Sequence, residues 1–272
     1  MRFSYEASKV FIGQERIIKE LAIIAEEVKE GANLNMLFEA PSGYGKNLLA
    51  YLFLAYVDPA YKRSIQYIPD KKGQVYFDTS RRFHYIDEAH LLSPQEQIYP
   101  YLSSADFTII LGTNNFDEIE EAVLTRVTRF QFSEYSEEEV ALIMQLALEE
   151  HNVKLPFTLC KELAPYCRGV PRLVKNYAQR LSFIFKHTEV PTSAEDIHAL
   201  MREYLGAEDG GFTEFDLQYL RALDLNGGFA GLDTLRSITG FSKKTIIEDI
   251  EPFLIRKRRI IKTPRGRKLC RN

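Results

Sequence analysis

The stretch that decides the fold is LNMLFEAPSGYGKNLLAYLFLAY, residues 34–56. A short apolar run enters a turn that carries two glycines, and an apolar helical run follows. Strand, glycine turn and helix in this order aim backbone N–H groups and a helix N-terminus at nucleotide phosphates, with a lysine on the β and γ oxygens. A bare Gly-x-Gly-Lys also occurs in ordinary turns, but the flanking strand and helix favour a nucleotide site at Gly43, Gly45 and Lys46.

Two positions of this turn depart from the G-x-x-x-x-G-K-[ST] pattern of phosphate-binding loops. Ala40 replaces the first glycine, which changes little if the φ angle there is negative. Asn47 replaces the Ser or Thr whose hydroxyl binds Mg²⁺. The Asn47 amide oxygen is a hard, neutral donor that could substitute, although it reaches further than a hydroxyl. We therefore expect Asn47 as a metal ligand and leave the efficiency of ATP turnover open.

Two acids follow a second apolar run. Residues 83–86 are apolar or aromatic around one histidine, and Asp87 and Glu88 come directly after them. Acids in this position could simply begin a helix, but together with the lysine loop they fit phosphoryl transfer. The aspartate would hold Mg²⁺ and the glutamate would orient or deprotonate the attacking water. A third apolar run at 107–111, with helical stretches between the runs, predicts a parallel α/β sheet.

The pattern changes in the second half of the chain. Residues 93–96 and 136–139 both have the capping-box pattern of a helix start, and from the second box to about residue 204 the chain is helical. Residues 206–211 are rich in glycine and acid and are predicted to be a linker. The last sixty residues give helix, turn, helix, a short strand at 259–263, a turn and a second strand, the order of a winged helix.

Charge divides the chain unevenly. The net charge is −3, yet residues 243–272 hold eleven Lys or Arg against three acids, a local charge of +8. An acidic body with a basic tail suggests an anionic partner for the tail, most simply nucleic acid. No run of apolar residues is long enough to span a membrane. Three cysteines form neither a metal-like spacing nor an even disulfide set, so we expect a reducing, cytoplasmic location.

Seven segments are similar to sequence motifs of one protein family: FIGQE (11–15), IDEAHLL (86–92), AVLTRVTRF (122–130), RGVPR (168–172), GLDTL (231–235), IEPFLI (250–255) and TPRGR (263–267). In them the chain resembles the RuvB family of AAA+ ATPases, motor subunits of the Holliday-junction branch-migration complex. The resemblance runs from about residue 11 to residue 268 and is strongest at the two ends. It implies an α/β AAA+ core with a parallel sheet at 1–134, a helical lid at 135–205 and a C-terminal winged-helix DNA-binding domain at 206–272.

The resemblance also implies roles for single residues. Asn114 stands where sensor 1 contacts the γ-phosphate and the lytic water, beside the catalytic Glu88. Arg126 would be the arginine finger that reaches into a neighbouring subunit's site, and Arg172 the sensor 2 residue on the phosphates. The nucleotide-contacting residues that it implies are Ile12, Gly43, Tyr44, Gly45, Lys46, Asn47, Leu48, Tyr135 (on adenine) and Arg172, with Asn47 and Asp87 on Mg²⁺.

The basic tail supplies the expected DNA contacts. A Thr-Pro-Arg-Gly-Arg turn is rigid and would present two guanidiniums, which suits phosphate contacts. The residues expected on DNA are Arg256, Arg258, Arg259, Lys262, Arg265, Arg267 and Lys268. With ATP and Mg²⁺ as cofactors, a self-assembled ring, expected to be a hexamer, would remodel or move along duplex or branched DNA.

One departure from the family keeps alternatives open. Residues 101–106 lead directly into the third strand, which leaves no room for the β-hairpin that docks RuvA in that family. A RuvA-type partnership is therefore not carried over. A loader that uses ATP to place a replicative helicase or clamp on DNA is the first alternative. A DNA-binding ATP switch with little turnover, suggested by Asn47, is the second.

Overall fold

The computed structural model describes residues 2–270 and divides the chain into two compact units. The first unit comprises Met1–Ile143 together with Val170–Asn176. The second comprises Met144–Gly169 together with Tyr177–Asn272. Within the described residues, none of the helices is both long and apolar enough to cross a membrane.

The first unit is built on a five-stranded sheet whose strands all run parallel in the order β2-β3-β4-β1-β5. Its strands are β1 (Met36–Glu39), β2 (Ser64–Tyr67), β3 (Phe83–Ile86), β4 (Thr108–Thr113) and β5 (Thr128–Gln131). Its helices are α1 (Arg2–Ser8), α2 (Glu15–Lys29), α3 (Lys46–Val57), α4 (Tyr99–Leu102), α5 (Glu121–Leu124) and the first half of α6 (Glu137–Glu150). The prediction of a parallel α/β sheet is confirmed.

The central strands are continuous hydrophobic runs because the sheet is covered on both faces. All six residues of β4 are buried, as are all four of β3. Leu37, Ile86 and Leu111 belong to one core cluster and are fully buried, so three neighbouring strands are held together by packing as well as by their ladders. This arrangement brings the carboxyl ends of β1, β3 and β4 to one edge, where ligands bind in open α/β sheets.

The segment between β3 and β4 contains helical turns and no strand. Short 3₁₀ turns at Ala89–Leu91 and Gln95–Ile98 lead into α4, and residues 87–107 are all described. The predicted absence of an inserted hairpin is confirmed. The capping box expected at 93–96 is wrong: the turn begins at Gln95 after an extended Pro94 and has no side-chain cap.

The second capping box forms as predicted. The Ser136 N–H donates to Glu139 Oε2 at 2.7 Å, and the Glu139 N–H donates to Ser136 Oγ at 3.2 Å. This reciprocal pair satisfies two backbone donors at the start of α6. The helical stretch then continues through α7 (Phe157–Leu163), α8 (Pro171–Ile184) and α9 (Ala194–Leu205), as the sequence predicts.

The predicted linker at 206–211 is instead ordered. Two short strands, β6 (Ala207–Glu208) and β7 (Phe212–Thr213), pair antiparallel across it. Gly211 has φ +84°, and a Cβ there would lie 2.3 Å from the Pro165 carbonyl oxygen, so the backbone packs directly on the preceding helical segment. The glycines serve a tight turn and a close approach rather than a flexible connection.

A winged helix completes the second unit, as predicted. Its helices are α10 (Glu214–Leu225), α11 (Leu232–Thr239) and a π-helical turn at Thr245–Ile250 that continues into α12 (Glu251–Arg256). Its sheet has the order β8-β10-β9, with β8 (Phe229–Ala230), β9 (Ile260–Thr263) and β10 (Gly266–Leu269) pairing antiparallel. Tyr219, Leu235 and Leu254 are fully buried at its core, so this segment has a hydrophobic centre of its own.

Candidate active site

The turn after β1 has the geometry of a phosphate-binding loop. The Ala40 N–H donates to the Thr113 carbonyl at 3.1 Å, which ties the start of the loop to the end of β4. Gly43 and Gly45 have φ angles of 85° and 94°, in the region that favours glycine, whereas the φ of Ala40 is not positive. The loop ends at the first residue of α3, Lys46, so the N-terminus of this helix opens onto the loop.

The Lys46 ammonium lies inside this loop. Lys46 is 5% exposed, and its Nζ donates to the Ala40 carbonyl at 2.8 Å and approaches the Pro41 carbonyl at 3.4 Å. Burial lowers the pKa of Lys46, while the nearby carboxylates of Glu88 and Asp87 act in the opposite direction. A nucleotide phosphate would offer this ammonium a charged partner in place of two neutral carbonyls.

The two acids after β3 lie at the same edge of the sheet. Asp87 is buried, and its Oδ1 accepts the backbone N–H of Glu88 at 3.0 Å. Glu88 is half-buried and has φ +51°, a left-handed conformation that few residues other than glycine adopt. Its Oε2 lies 3.6 Å from His90 Nδ1, and the same ring nitrogen is 3.2 Å from Thr113 Oγ1. The Glu88 carboxylate is thus oriented by β3 and its neighbours.

Both ends of the Asn47 amide are hydrogen-bonded to neighbouring side chains. Its Nδ2 donates to Asp87 Oδ2 at 2.5 Å, and its Oδ1 accepts the Tyr85 hydroxyl at 2.8 Å. An amide nitrogen carries no lone pair for a hard cation such as Mg²⁺, which takes oxygen ligands. In this arrangement the Asn47 and Asp87 side chains bond to each other, and their joint role on Mg²⁺ stays a prediction that requires this hydrogen bond to open.

Arg172 completes the mouth of the site. Its N–H donates to the Gly43 carbonyl at 3.2 Å, and its guanidinium reaches Ser42 Oγ at 3.3 Å. A Cβ on Gly43 would lie 2.9 Å from Arg172 Cβ, so the glycine is needed for this approach. A pocket of about 430 Å³ brings these groups together and is lined by Ser42, Gly43, Gly45, Lys46, Asn47, Leu48, Asp87, Glu88, Pro171, Arg172, Lys175 and Asn176.

The pocket contains eight predicted residues and four that sequence reasoning missed, namely Ser42, Pro171, Lys175 and Asn176. Lys175 and Asn176 lie three and four residues after Arg172 on α8, so one face of this helix turns toward the loop. Helical spacing from Arg172 is the signal that could have found them. Lys175 adds a second exposed cation to the phosphate end of the pocket.

Three predicted nucleotide contacts lie outside the pocket lining. Tyr44 and Tyr135 are buried with their rings 5.5 Å apart, and the Tyr135 hydroxyl donates to the Tyr44 carbonyl at 2.9 Å. Burial raises the pKa of Tyr135, so its hydroxyl stays protonated and donating. Ile12 is half-buried. The Tyr135 ring packs behind the loop here, and its contact with adenine stays a prediction.

Asn114 and Arg126 are exposed and are not brought into the pocket. Asn114 follows the last residue of β4, beside the loop that β1 feeds. The Arg126 guanidinium donates to the Ala122 carbonyl at 2.5 Å and lies 5.3 Å from the centre of the Tyr99 ring. An arginine finger acts on a neighbouring subunit, so its role stays a prediction for a single chain.

Six of the seven basic residues expected on DNA are exposed: Arg256, Arg258, Arg259, Lys262, Arg265 and Lys268. The seventh, Arg267, is 7% exposed, and its guanidinium bonds Glu251 through Nε at 2.5 Å and through a second nitrogen at 3.2 Å. The Tyr219 hydroxyl donates to the same carboxylate at 3.0 Å. The prediction that Arg267 contacts DNA is therefore wrong, because alternation along β10 points Arg267 inward and Lys268 outward.

Comparisons with known proteins show which proteins this chain is similar to. Residues 209–272 match the family model of the RuvB C-terminal winged helix domain. The chain is 27% identical to the Holliday junction branch migration complex subunit RuvB of Sulfurimonas denitrificans, over 95% of this chain and 86% of that protein. It is 28% identical to the subunit of the same name from Helicobacter pylori, over 94% of this chain and 85% of that protein.

A solved structure gives the same result for the fold. The Thermotoga maritima RuvB Holliday junction branch migration motor matches with a TM-score of 0.78 at 24% identity, over 96% of this chain and 93% of that one. The α/β core with its parallel sheet and the C-terminal winged helix are thus shared, although three quarters of the aligned residues differ.

Proposed function

We propose that this chain, a divergent RuvB-like AAA+ protein, couples ATP binding and hydrolysis to remodelling of DNA or movement along it. The observation that carries the proposal is the pocket in which a buried lysine, two acids from β3 and Arg172 line one glycine-containing loop. A lysine loop facing paired acids at a sheet edge serves phosphoryl transfer, and few other reactions need this set.

We assign parts in the reaction to residues in and beside the pocket. Backbone N–H groups of the loop and the start of α3 bind the phosphates, and Lys46 neutralises the β and γ oxygens. Glu88 orients and deprotonates the attacking water, since its carboxylate is held at the pocket by a constrained backbone. Arg172, which lies against the loop at Ser42 and Gly43, contacts the phosphates. Asn114, which follows β4 outside the pocket lining, positions the water when the nucleotide is bound. Bound Mg²⁺ would neutralise phosphate charge, and Asp87 is its proposed protein contact.

We propose that the active form is a ring, expected to be a hexamer, in which Arg126 acts on the neighbouring subunit's nucleotide. Its exposure and its surface position beside α5 support this, because a finger must be free to cross an interface. The proposed domain limits remain 1–134, 135–205 and 206–272.

The basic residues of the winged helix are the proposed contacts of duplex or branched DNA. Six exposed cations at the end of α12 and around the β9–β10 turn offer phosphate contacts that carry no sequence preference. The relatives' names refer to Holliday junctions, and a four-way junction is the proposed substrate. A RuvA-type docking hairpin is absent from residues 87–107, so we do not propose that partnership. The relatives named above are branch-migration subunits, which favours the motor over a helicase loader or clamp loader.

Two substitutions separate nucleotide binding from turnover. Lys46→Ala should abolish ATP binding, whereas Glu88→Gln should keep binding and stop hydrolysis, because only the second removes the base that acts on water. Binding of a fluorescent ATP analogue and release of phosphate measure the two steps. Equal ATP affinity in the wild type and in Lys46→Ala would contradict the proposed site.

A further inference from the structure

Tyr85 lies outside the pocket lining and is connected to two pocket residues, Asn47 and Asp87, by hydrogen bonds. Tyr85 lies on β3 two residues before Asp87 and is 2% exposed. Its hydroxyl is 2.8 Å from Asn47 Oδ1 and 3.2 Å from Asp87 Oδ1, while Asn47 Nδ2 is 2.5 Å from Asp87 Oδ2. Three side chains thus close a ring at the place where a phosphate-binding loop normally presents a hydroxyl. None of the roles assigned above uses Tyr85.

A glycine on the neighbouring strand makes room for this hydroxyl. A Cβ on Gly112 of β4 would lie 2.6 Å from the Tyr85 hydroxyl oxygen and 3.3 Å from Asp87 Oδ1. The first distance is far below van der Waals contact, so any larger residue at this position would require the Tyr85 hydroxyl to move. The position of the Tyr85 hydroxyl oxygen therefore depends on β3, which carries the side chain, and on β4, where Gly112 leaves space for it.

The ring of hydrogen bonds decides which way the Asn47 amide faces. A tyrosine hydroxyl has one proton to donate, and the amide oxygen, at 2.8 Å, is nearer than the Asp87 oxygen. With the oxygen held by Tyr85, the amide nitrogen is turned to Asp87. For the Asn47 oxygen to reach a cation beside Asp87, the amide must turn over, and both hydrogen bonds are lost.

We propose that Tyr85 is a positioning residue that holds the Asn47 nitrogen on Asp87, so that Mg²⁺ must displace this hydrogen bond to bind with the nucleotide. The inference rests on the proposed nucleotide site and adds how that site discriminates between free ATP and MgATP. Asn47 in this arrangement masks one Asp87 oxygen from the metal. The loop, Lys46 and Arg172 can bind ATP without Mg²⁺, and the metal adds to the affinity only after it displaces the hydrogen bond between Asn47 and Asp87.

The test is Tyr85→Phe, which removes the hydroxyl and keeps the ring. Affinity for a fluorescent ATP analogue is measured during a Mg²⁺ titration and also in EDTA. Losing one hydrogen bond should lower the half-saturating Mg²⁺ concentration by roughly 2- to 10-fold, because the amide turns over more easily. Affinity in EDTA should stay unchanged. Tyr67→Phe is the matched control, since the Tyr67 hydroxyl contacts His84 and Asp78 and not the pocket.

An Asn47→Thr background shows whether the effect passes through Asn47. In Asn47→Thr no amide remains to be held, so adding Tyr85→Phe should no longer change the Mg²⁺ requirement. If Tyr85→Phe does not fold, Gly112→Ala provides a second test of the Mg²⁺ requirement, because its methyl group would displace the Tyr85 hydroxyl. An unchanged Mg²⁺ requirement in Tyr85→Phe, or an equal shift in the Asn47→Thr background, would overturn the inference. Failure of the wild type to bind ATP at all would instead overturn the proposed function.

Discussion

Arg265 and Arg267 lie two residues apart in the same turn and strand, yet the structure gives them opposite roles. The Arg267 and Glu251 side chains are 9% and 3% exposed, and two hydrogen bonds join them. Removing one partner of a buried ion pair leaves the other charge without compensation, which costs about 3–5 kcal/mol. Arg267→Met should therefore lower the free energy of unfolding of the winged helix by about that amount.

The exposed Arg265 should behave differently. Arg265→Ala should leave unfolding nearly unchanged and reduce the dependence of DNA binding on salt, by roughly 0.9 in the slope of log affinity against log salt if the side chain neutralises one phosphate. The weakening should be similar on unrelated sequences, because phosphate contacts carry no base information. Urea unfolding and fluorescence anisotropy with duplex DNA at several salt concentrations measure the two effects.

A double substitution tests whether the Arg267–Glu251 pair itself is responsible. Arg267→Met with Glu251→Leu removes both charges, and such a replacement is often neutral, so most of the stability lost in Arg267→Met should return. The account is refuted if Arg267→Met unfolds at the wild-type urea midpoint and reduces the salt slope as Arg265→Ala does. That result would restore the prediction that both guanidiniums face DNA.

Three further predictions concern other parts of the chain. Mixing Arg126→Ala with Lys46→Ala subunits should restore part of the ATPase activity, since some interfaces regain a complete site; no rescue in assembled rings would remove Arg126 as the finger. Asn47→Thr should raise phosphate release or lower the Mg²⁺ requirement in a titration. If the substitution instead lowers both phosphate release and the affinity for Mg²⁺, the site is built around asparagine. Arg168→Met should destabilise the second unit by about 3–5 kcal/mol in urea, because Arg168 pairs with the fully buried Asp216; an unchanged midpoint would contradict this.

Local pattern was enough for the three central strands of the sheet and for the loop, but not for the edge strands β2 and β5. The strand predicted at 83–86 has those bounds in the structure, because four buried residues between polar flanks suit only a central strand. Gly43, Gly45 and Lys46 follow from backbone requirements that only a few residue types meet. The capping box at Ser136 also forms, since both its partners lie within four residues of each other.

The errors concern residues whose role depends on distant partners. Arg267 looks like a surface cation until Glu251, sixteen residues earlier, is seen to bond it from α12. Asn47 occupies the position of a metal ligand, but its amide is held by Tyr85 of β3 and by Asp87, the residue after β3. In both cases a polar side chain is satisfied by a tertiary contact that no spacing along the chain encodes. The ordered turn at 206–211 has the same origin, because Gly211 packs on Pro165.

Branch migration by the purified protein tests the central claim most directly. A synthetic four-way junction with one labelled strand is incubated with the wild type, with Lys46→Ala and with Glu88→Gln, and phosphate release is followed in parallel. We predict that the wild type separates the junction into duplex products only with ATP and that DNA stimulates its ATP turnover. Neither Lys46→Ala nor Glu88→Gln should separate the junction or show DNA-stimulated turnover. A wild type that binds and hydrolyses ATP but leaves the junction intact, or that needs a helicase or clamp before DNA stimulates turnover, would contradict the account.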